Sequence, residues 1–331
     1  MSDYHKKFSI AIVGATGLVG KTFINILKEQ NFAVDYLDLY AKNNGVGKIV
    51  AFNKKEYVVK KLDENFSPNT DFVLFAASSE VSLKYAEYAL KNGCTVIDNS
   101  AAFRMYEKVP LIIPDINFDC RLNKKLIANP NCSTIICAKP LSLLHNKLRL
   151  KRIRFSTYQA VSGAGNEAIK ALKNGNYKGV FPYDIRKTCL PQIGTPLSNG
   201  YTSEEIKMQD EMRKILNDKK LKISATCVRV PIENCHGISV FATFKENFTL
   251  KDVHEILKSQ NNIIIADDLK NDVYPVATAA NGNNKVYVGR IRKDTAENKS
   301  LAFYVLSDNL RTGAAYNAYE IMRRIAENDC L

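Results

Sequence analysis

The hydrophobic pattern of the early chain switches back and forth between two periods. Phe8 to Val13 (FSIAIV) is short and mostly apolar, as expected of a parallel strand buried on both faces. It ends at Gly14, and a helical pattern follows from Leu18 to about Gln30. Tyr36 to Tyr40 reads as a second strand, Tyr57 to Lys61 as a further extended piece, and Asp71 to Ala77 (DFVLFAA) as another buried strand. A helix from about Val81 to Asn92 comes next, closed by Gly93 at the position where a C-cap favours glycine. Cys94 to Ile97 is the next strand, running into Asp98-Asn99-Ser100. Strands alternating with helices predict a doubly wound α/β domain.

Past Asn131 the texture changes. A helix is expected from Ser133 to roughly Lys139. Arg152 to Ala160, Ile223 to Val230, Gly237 to Phe244 and Leu301 to Leu306 are longer β-branched runs, with helices expected at about Gly165 to Asn174, Ser203 to Asn217 and Leu250 to Gln260. This mixture predicts an α+β domain. The last helix, Thr312 to Asn328, follows the final strand and can return to the first domain. The expected division is a first domain of residues 1–131, completed by residues 310–331, and a second domain of residues 132–309. No repeat, low-complexity tract or long linker interrupts it.

Composition narrows the class. The 331 residues, 46% of them hydrophobic, exceed what most single cores hold. No apolar run approaches a membrane span, and Met1 to Lys7 is polar and lacks the apolar segment of a secretory signal. Eight cysteines lie scattered without metal-ligand spacing, which fits a cytosolic chain with free thiols and no metal site. The formal charge of +13 would suit nucleic acid or small anions. Its lysines are spread as on solvated faces, however, and only Lys147 to Arg154 (KLRLKRIR) is locally dense, as a strand with one basic face. Neither a nucleic-acid nor a membrane partner is expected.

Two stretches carry chemistry. Gly14-Ala-Thr-Gly17-Leu-Val-Gly20 joins the first strand to the first helix, a variant of the glycine fingerprint that lets a backbone approach a pyrophosphate at a helix N-terminus. The tip of strand two reads Tyr40-Ala41-Lys42-Asn43-Asn44. A lysine and no carboxylate there favours a ribose 2′-phosphate, hence NADP(H). The second stretch is Asn131-Cys132-Ser133-Thr134. A cysteine opening a helix gains from free N–H groups and the helix dipole, which favour a thiolate nucleophile. Of the four histidines, His5 lies in the tail and His145 and His254 in helical patterns. His236 sits in a turn between two strong strands, where an imidazole can reach a site edge as base or acid.

The stretches GATGLVG, DNSAAFRM, NPNCST, TYQAVSGAG, NGYTSEEIKM, Arg229 to His236 and NLRTGAAYNA span nearly the whole chain in one order. In them the chain resembles the aspartate-β-semialdehyde dehydrogenases. The resemblance implies that Cys132 attacks an acyl phosphate and forms a thioester, that His236 is the acid/base, and that Gln159 orients the acyl group. It implies substrate contacts at Arg229 for a carboxylate, Glu204 for an ammonium and Asn131 beside the reacting group, and phosphate contacts at Arg104 and Lys207. Cofactor contacts would fall at Gly14, Thr16, Gly17, Leu18, Val19, Ala41, Lys42, Ser78, Ser162, Gly163 and Asn309. Physical reasons run alongside: an arginine fork binds both carboxylate oxygens, and Glu204 and Lys207 at i, i+3 share a helix face.

The implied reaction is the NADPH-dependent conversion of L-aspartyl 4-phosphate to L-aspartate 4-semialdehyde, for lysine, threonine, methionine and diaminopimelate synthesis, by a homodimer or tetramer. The loop after strand two departs from the family's usual Ser-Arg type with Lys42 and Asn44. Ala101 and Asp115 stand where serine and glutamate are common. The rivals are an N-acetylglutamyl-phosphate reductase, which needs no partner for a free ammonium, a malonyl-CoA reductase, and a nucleotide-binding protein that has lost the chemistry.

Overall fold

A computed structural model describes residues 6–119 and 124–327. His5, Cys120, Asn328 and Cys330 lie outside these residues. The chain forms two compact units, one from Met1–Pro130 and Ala314–Leu331, the other from Asn131–Gly313.

The first unit runs β1 (Phe8–Val13), α1 (Leu18–Glu29), β2 (Val34–Ala41), β3 (Ile49–Phe52), β4 (Lys55–Val58), β5 (Lys60–Lys61), β6 (Phe72–Phe75), α2 (Ser79–Lys91), β7 (Thr95–Asp98), α3 (Pro114–Asn117) and β8 (Leu126–Ala128). Its main sheet has the order β5-β2-β1-β6-β7-β8, and every pairing in it is parallel. The order reverses between β1 and β6. A doubly wound sheet opens its ligand crevice there, at the carboxyl ends of the strands. Ile10, Ile12, Leu39 and Leu74 fill the core with Phe23 and Leu27 of α1 and with Tyr319 and Met322 of the last helix, Tyr316–Glu327.

The β3–β4 hairpin is absent from the sequence reading, which ran one extended piece across Tyr57 to Lys61. Its turn residues, Asn53 and Lys54, both have positive φ (46° and 65°), the geometry of a type I′ turn. With lysine where glycine usually signals that turn, nothing in the sequence announces it.

The second unit runs α4 (Cys132–Leu148), β9 (Leu150–Gln159), α5 (Asn166–Asn174), α6 (Ser203–Ile215), β10 (Lys222–Arg229), β11 (His236–Phe244), α7 (Leu250–Lys258), β12 (Ile263–Ile265), α8 (Ala277–Ala280), β13 (Val286–Lys293) and β14 (Ser300–Ser307). Its mixed sheet has the order β10-β9-β11-β14-β13-β12. Parallel pairing of β10 with β9 sets Arg229 opposite Gln159, and antiparallel pairing of β11 with β9 sets Gly237 opposite Tyr158. The last residue of β9, the last of β10 and the first of β11 therefore meet at one end of the sheet.

The helix α4 differs from its expected extent. It continues through Pro140 to Leu148 and does not stop at Lys139. An internal proline loses a hydrogen bond and crowds the preceding turn, at a cost of about 3 kcal/mol. Every residue from Ser133 to Ser142 is buried, however, so packing around the whole circumference outweighs that cost. The last helix also departs from the reading: Arg311–Ala315 is a π-turn, and the regular helix starts at Tyr316.

Candidate active site

In the first unit the β1–α1 turn admits only glycine at two points. Gly14 has φ +89°, and a Cβ there would lie 2.2 Å from the main-chain oxygen of Ala76; one on Gly20 would lie 2.3 Å from the Gly14 oxygen. Gly17 is the N-cap of α1, and neither a capping side chain nor an acid occupies the first turn. A tight glycine turn leading into a helix N-terminus without a capping side chain fits a dinucleotide's pyrophosphate. Thr16 packs against Gly45 of the loop after β2. Asp38 does not reach the tip of β2. It lies within the strand, accepts from the Tyr40 hydroxyl at 2.6 Å and pairs with Lys60 at 2.7 Å. At the tip, Ala41 is buried and Lys42 exposed. Ser78 caps α2 through the Val81 N–H at 3.5 Å. Arg104 is buried and donates to the main-chain oxygens of Asn129 and Asn99, each at 2.9 Å.

In the second unit Cys132 is the first residue of α4 and is half-buried. Asn131 is the N-cap: its Oδ1 accepts from the N–H of Ser133 (2.9 Å) and Thr134 (3.3 Å). Gly313 lies against the nucleophile's own carbon, since a Cβ there would be 3.0 Å from Cys132 Cβ. The Asn131 amide Nδ2 donates to Glu204 Oε1 at 2.8 Å, Gln159 Nε2 donates to the same oxygen at 3.3 Å, and Lys207 Nζ sits 3.3 Å from Oε2. Burial alone would push the Glu204 carboxyl up. The Lys207 charge and the bonds from Asn131 and Gln159 outweigh it and hold the carboxyl below its ordinary value, as a carboxylate.

At the sheet end, Arg229 Nη1 donates to the Ala160 oxygen at 2.7 Å. Its burial disfavours the charge, and the charges of Cys132 and Glu204 support it. His236 is 0% exposed. Its Nδ1 accepts the Ala160 main-chain N–H at 3.0 Å, so in the neutral ring Nε2 carries the proton. Burial, then the positive charge of Arg229, holds its pKa well below the ordinary histidine value, so the ring is neutral. Nε2 is buried without a protein partner. The position of a Cβ on Gly163 lies 3.1 Å from Arg229 Nη1 and 3.2 Å from His236 Nε2, so that glycine lines the space the two share. Gly163→Ala is expected to lower kcat/KM by roughly tenfold to a hundredfold, since small displacements of reacting groups cost that much. Steady-state kinetics check this, and a parental value contradicts it.

Beside them, Ser162 Oγ donates to Asn234 Oδ1 at 2.8 Å and accepts from Asn309 Nδ2 at 2.9 Å. Asn309 Oδ1 accepts the Cys235 N–H at 2.9 Å. The second unit thus brings together Cys132, Asn131, Gln159, Glu204, Lys207, Arg229, His236, Ser162, Gly163 and Asn309. Arg104 and the residues from Gly14 to Ser78 belong to the first. Among the described residues, no cluster of His, Cys, Asp and Glu could hold a metal ion, and no helix is long and apolar enough to cross a membrane.

Comparison with known proteins agrees along the whole chain. The semialdehyde dehydrogenase NAD binding domain matches residues 9–122, and the semialdehyde dehydrogenase dimerisation domain matches residues 141–312. The aspartate-semialdehyde dehydrogenase of Aquifex aeolicus is 43% identical, over 95% of this chain and 96% of its own. That of Campylobacter jejuni is 42% identical, over 97% and 98%. The chain belongs to the aspartate-semialdehyde dehydrogenases. It is an oxidoreductase of amino-acid biosynthesis, with a nicotinamide-dinucleotide-binding unit and an α+β unit of the dimerisation type. The crystal structure of aspartate semialdehyde dehydrogenase II from Vibrio cholerae superposes with a TM-score of 0.92 at 35% identity, covering 97% of this chain and 99% of its own.

Four contributors to the site were not singled out in the sequence. Ala160 acts through its main chain, which no side-chain pattern reveals. Gly313 falls inside NLRTGAAYNA but shows its purpose only through its contact with Cys132. Asn234 lies in the quoted Arg229–His236 segment. Glu211 does have a signal, standing seven residues after Glu204 on the same helical stripe.

Proposed function

We propose that this family member reduces L-aspartyl 4-phosphate to L-aspartate 4-semialdehyde through a thioester on Cys132. The observation that carries the reading is the 2.8 Å bond from Asn131 Nδ2 to Glu204. It ties the start of the nucleophile's helix to a buried carboxylate and, through that carboxylate, to Lys207. A nucleophile beside opposite charges suits a small phosphorylated amino acid. Arg229 clamps the substrate carboxylate. Glu204, whose two oxygens accept from three donors, retains an acceptor position for the ammonium. That buried carboxylate favours a free amino group over an N-acetylated one. Lys207, on α6 beside Glu204, is the phosphate ligand of the second unit.

Cys132 sulfur attacks the acyl carbon, phosphate leaves with the bonding electrons, and the acyl group stays on sulfur as a thioester. Gln159 orients the carbonyl. The reduced nicotinamide, when bound, supplies hydride. His236 Nε2–H stabilises oxygen charge by donating a hydrogen bond, and the C–S bond then breaks to release the aldehyde. In reverse, inorganic phosphate cleaves the thioester. Lys42, exposed at the tip of β2 with Asp38 committed to Tyr40 and Lys60, favours NADP(H). The second unit's sheet leaves Tyr158, Arg290 and Arg292 exposed around a shallow pocket that Ser239 and Tyr304 also line, a face suited to a homodimer. The thiols of Cys94, Cys137, Cys227 and Cys235, none in a disulfide, fit the cytoplasm.

The test is NADP reduction with aspartate semialdehyde and inorganic phosphate, run in parallel with NAD and with N-acetylglutamate semialdehyde. Phosphate-dependent turnover of the aspartate compound is expected. Turnover of the acetylated compound alone, or of neither, overturns the reading. In the same assay Lys42→Ala is expected to raise KM for NADP about tenfold, roughly one phosphate contact, and to leave KM for NAD unchanged.

A further inference from the structure

Asn131 is held from outside its own helix twice. Its side-chain amide donates to Glu204, and its main-chain N–H donates to Glu211 Oε2 at 2.6 Å. Glu204 and Glu211 lie seven residues apart on α6, two turns along one stripe, and Glu211 is 1% exposed. A helix that begins with a full capping box supplies the second half of the cap itself: the residue at its third position reaches back to the N-cap N–H. α6 does so, with Glu205 accepting the Thr202 N–H at 2.7 Å. The third position of α4 is Thr134, and the acceptor for the Asn131 N–H is a carboxylate on α6. The nucleophile's helix thus takes half its cap from the helix that carries Glu204 and Lys207.

We propose that Glu211 is a positioning residue: its carboxylate completes the cap of the Cys132 helix from α6 and so fixes the nucleophile relative to the substrate-binding groups on that helix. The proposal rests on the reading of Cys132 as nucleophile and of α6 as the substrate helix. A charge-assisted bond to a peptide N–H is stronger than a neutral one. The Asn131 main-chain nitrogen, in the Pro130–Asn131 peptide, is therefore pinned one residue before the reacting sulfur. Loss of the acceptor leaves a buried N–H unsatisfied and lets the helix start shift, and displacement of a nucleophile by about 1 Å costs on the order of a hundredfold in rate.

The experiment compares the parent with Glu211→Leu, which has no acceptor, and Glu211→Gln, which keeps one. Three quantities are read on folded protein, checked by circular dichroism: kcat, KM for aspartate semialdehyde, and the rate at which iodoacetamide labels Cys132 by peptide mapping. Glu211→Leu is expected to lose roughly thirtyfold or more in kcat with KM changed less than about threefold, and to change the labelling rate of Cys132 but not that of Cys189. Glu211→Gln is expected to recover kcat to within about fivefold of the parent. Parental kcat and labelling in Glu211→Leu overturn the proposal. So does an equal fall in both variants, which would assign the effect to charge or to stability. If Glu211→Leu fails to fold, Glu211→Gln decides: a fall of more than about tenfold in kcat overturns the proposal. Failure of the substrate reading shows separately, as a parent without turnover, and the labelling comparison then tests Glu211 alone.

Discussion

Replacement of Cys132 by serine is expected to abolish turnover, with kcat falling by at least about 10⁴-fold, because the group lost is the one that forms the covalent intermediate. The substitution is confined to one atom. Serine keeps the Cβ that rests on Gly313, and Asn131 caps the helix through the N–H groups of Ser133 and Thr134, which are untouched. Melting temperature and NADP affinity should therefore stay at parental values while activity disappears. A serine hydroxyl has no appreciable anionic fraction near neutral pH, so a helix N-terminus that favours a thiolate has nothing to act on. The other cysteines supply controls. Burial pushes the thiols of Cys227 and Cys235 up to about 12 and that of Cys137 well up, so these three should resist alkylation. Cys189 is exposed and sets the rate of an ordinary thiol. Steady-state assays and peptide mapping read both effects. A serine variant retaining more than about 1% of parental kcat would remove Cys132 from the chemistry.

The parts of this site that were legible in the sequence are those with a local signature. The Gly14–Gly20 loop shows itself because a strand ends and a helix begins around it, and Cys132 because it opens a helical pattern, while the capping role of Asn131 appears only in the structure. His236 stood out as the histidine placed between two strands. Convergence was not legible. It comes from the register that sets Arg229 opposite Gln159 and from the antiparallel return of β11 beside β9, both pairings between residues distant in sequence. The same limit hid β12 and β13, whose places depend on neighbouring strands, and let Pro140 end a helix that burial carries onward. Glu211 illustrates the general case. Its helical stripe can be read from spacing, but its partner, a main-chain N–H eighty residues away in sequence, cannot.

His236→Gln is expected to lower kcat by roughly 10² to 10⁴-fold and to leave the pH dependence of Cys132 alkylation where it is in the parent. Both halves follow from one hydrogen bond. The Ala160 N–H can only donate, so Nδ1 must accept, and the single proton of the neutral ring sits on Nε2. An Nε2 that already bears a proton can donate to substrate oxygen but cannot take the proton of Cys132. An alkylation midpoint that rises in the variant would identify His236 as the base for the thiol and refute this assignment. Stability against pH gives an independent check. The pKa of His236 in the fold lies well below its ordinary value, through burial first and Arg229 second, while the unfolded chain titrates near 6.5. Above that pH both states are neutral and the group contributes nothing. As pH falls below about 6.5 the unfolded state binds a proton that the folded state refuses, so stability is lost on acidification, by up to about 1.4 kcal/mol per pH unit. His145, whose pKa burial also lowers, adds a loss of the same sign to parent and variant alike and cancels in their difference. Between pH 7.5 and 5.5 the parent should therefore lose about 1 kcal/mol more than His236→Gln in urea unfolding. Equal losses would mean that the folded ring takes the proton with ordinary ease, and a ring that does so is not the neutral donor that the buried contact with Ala160 requires.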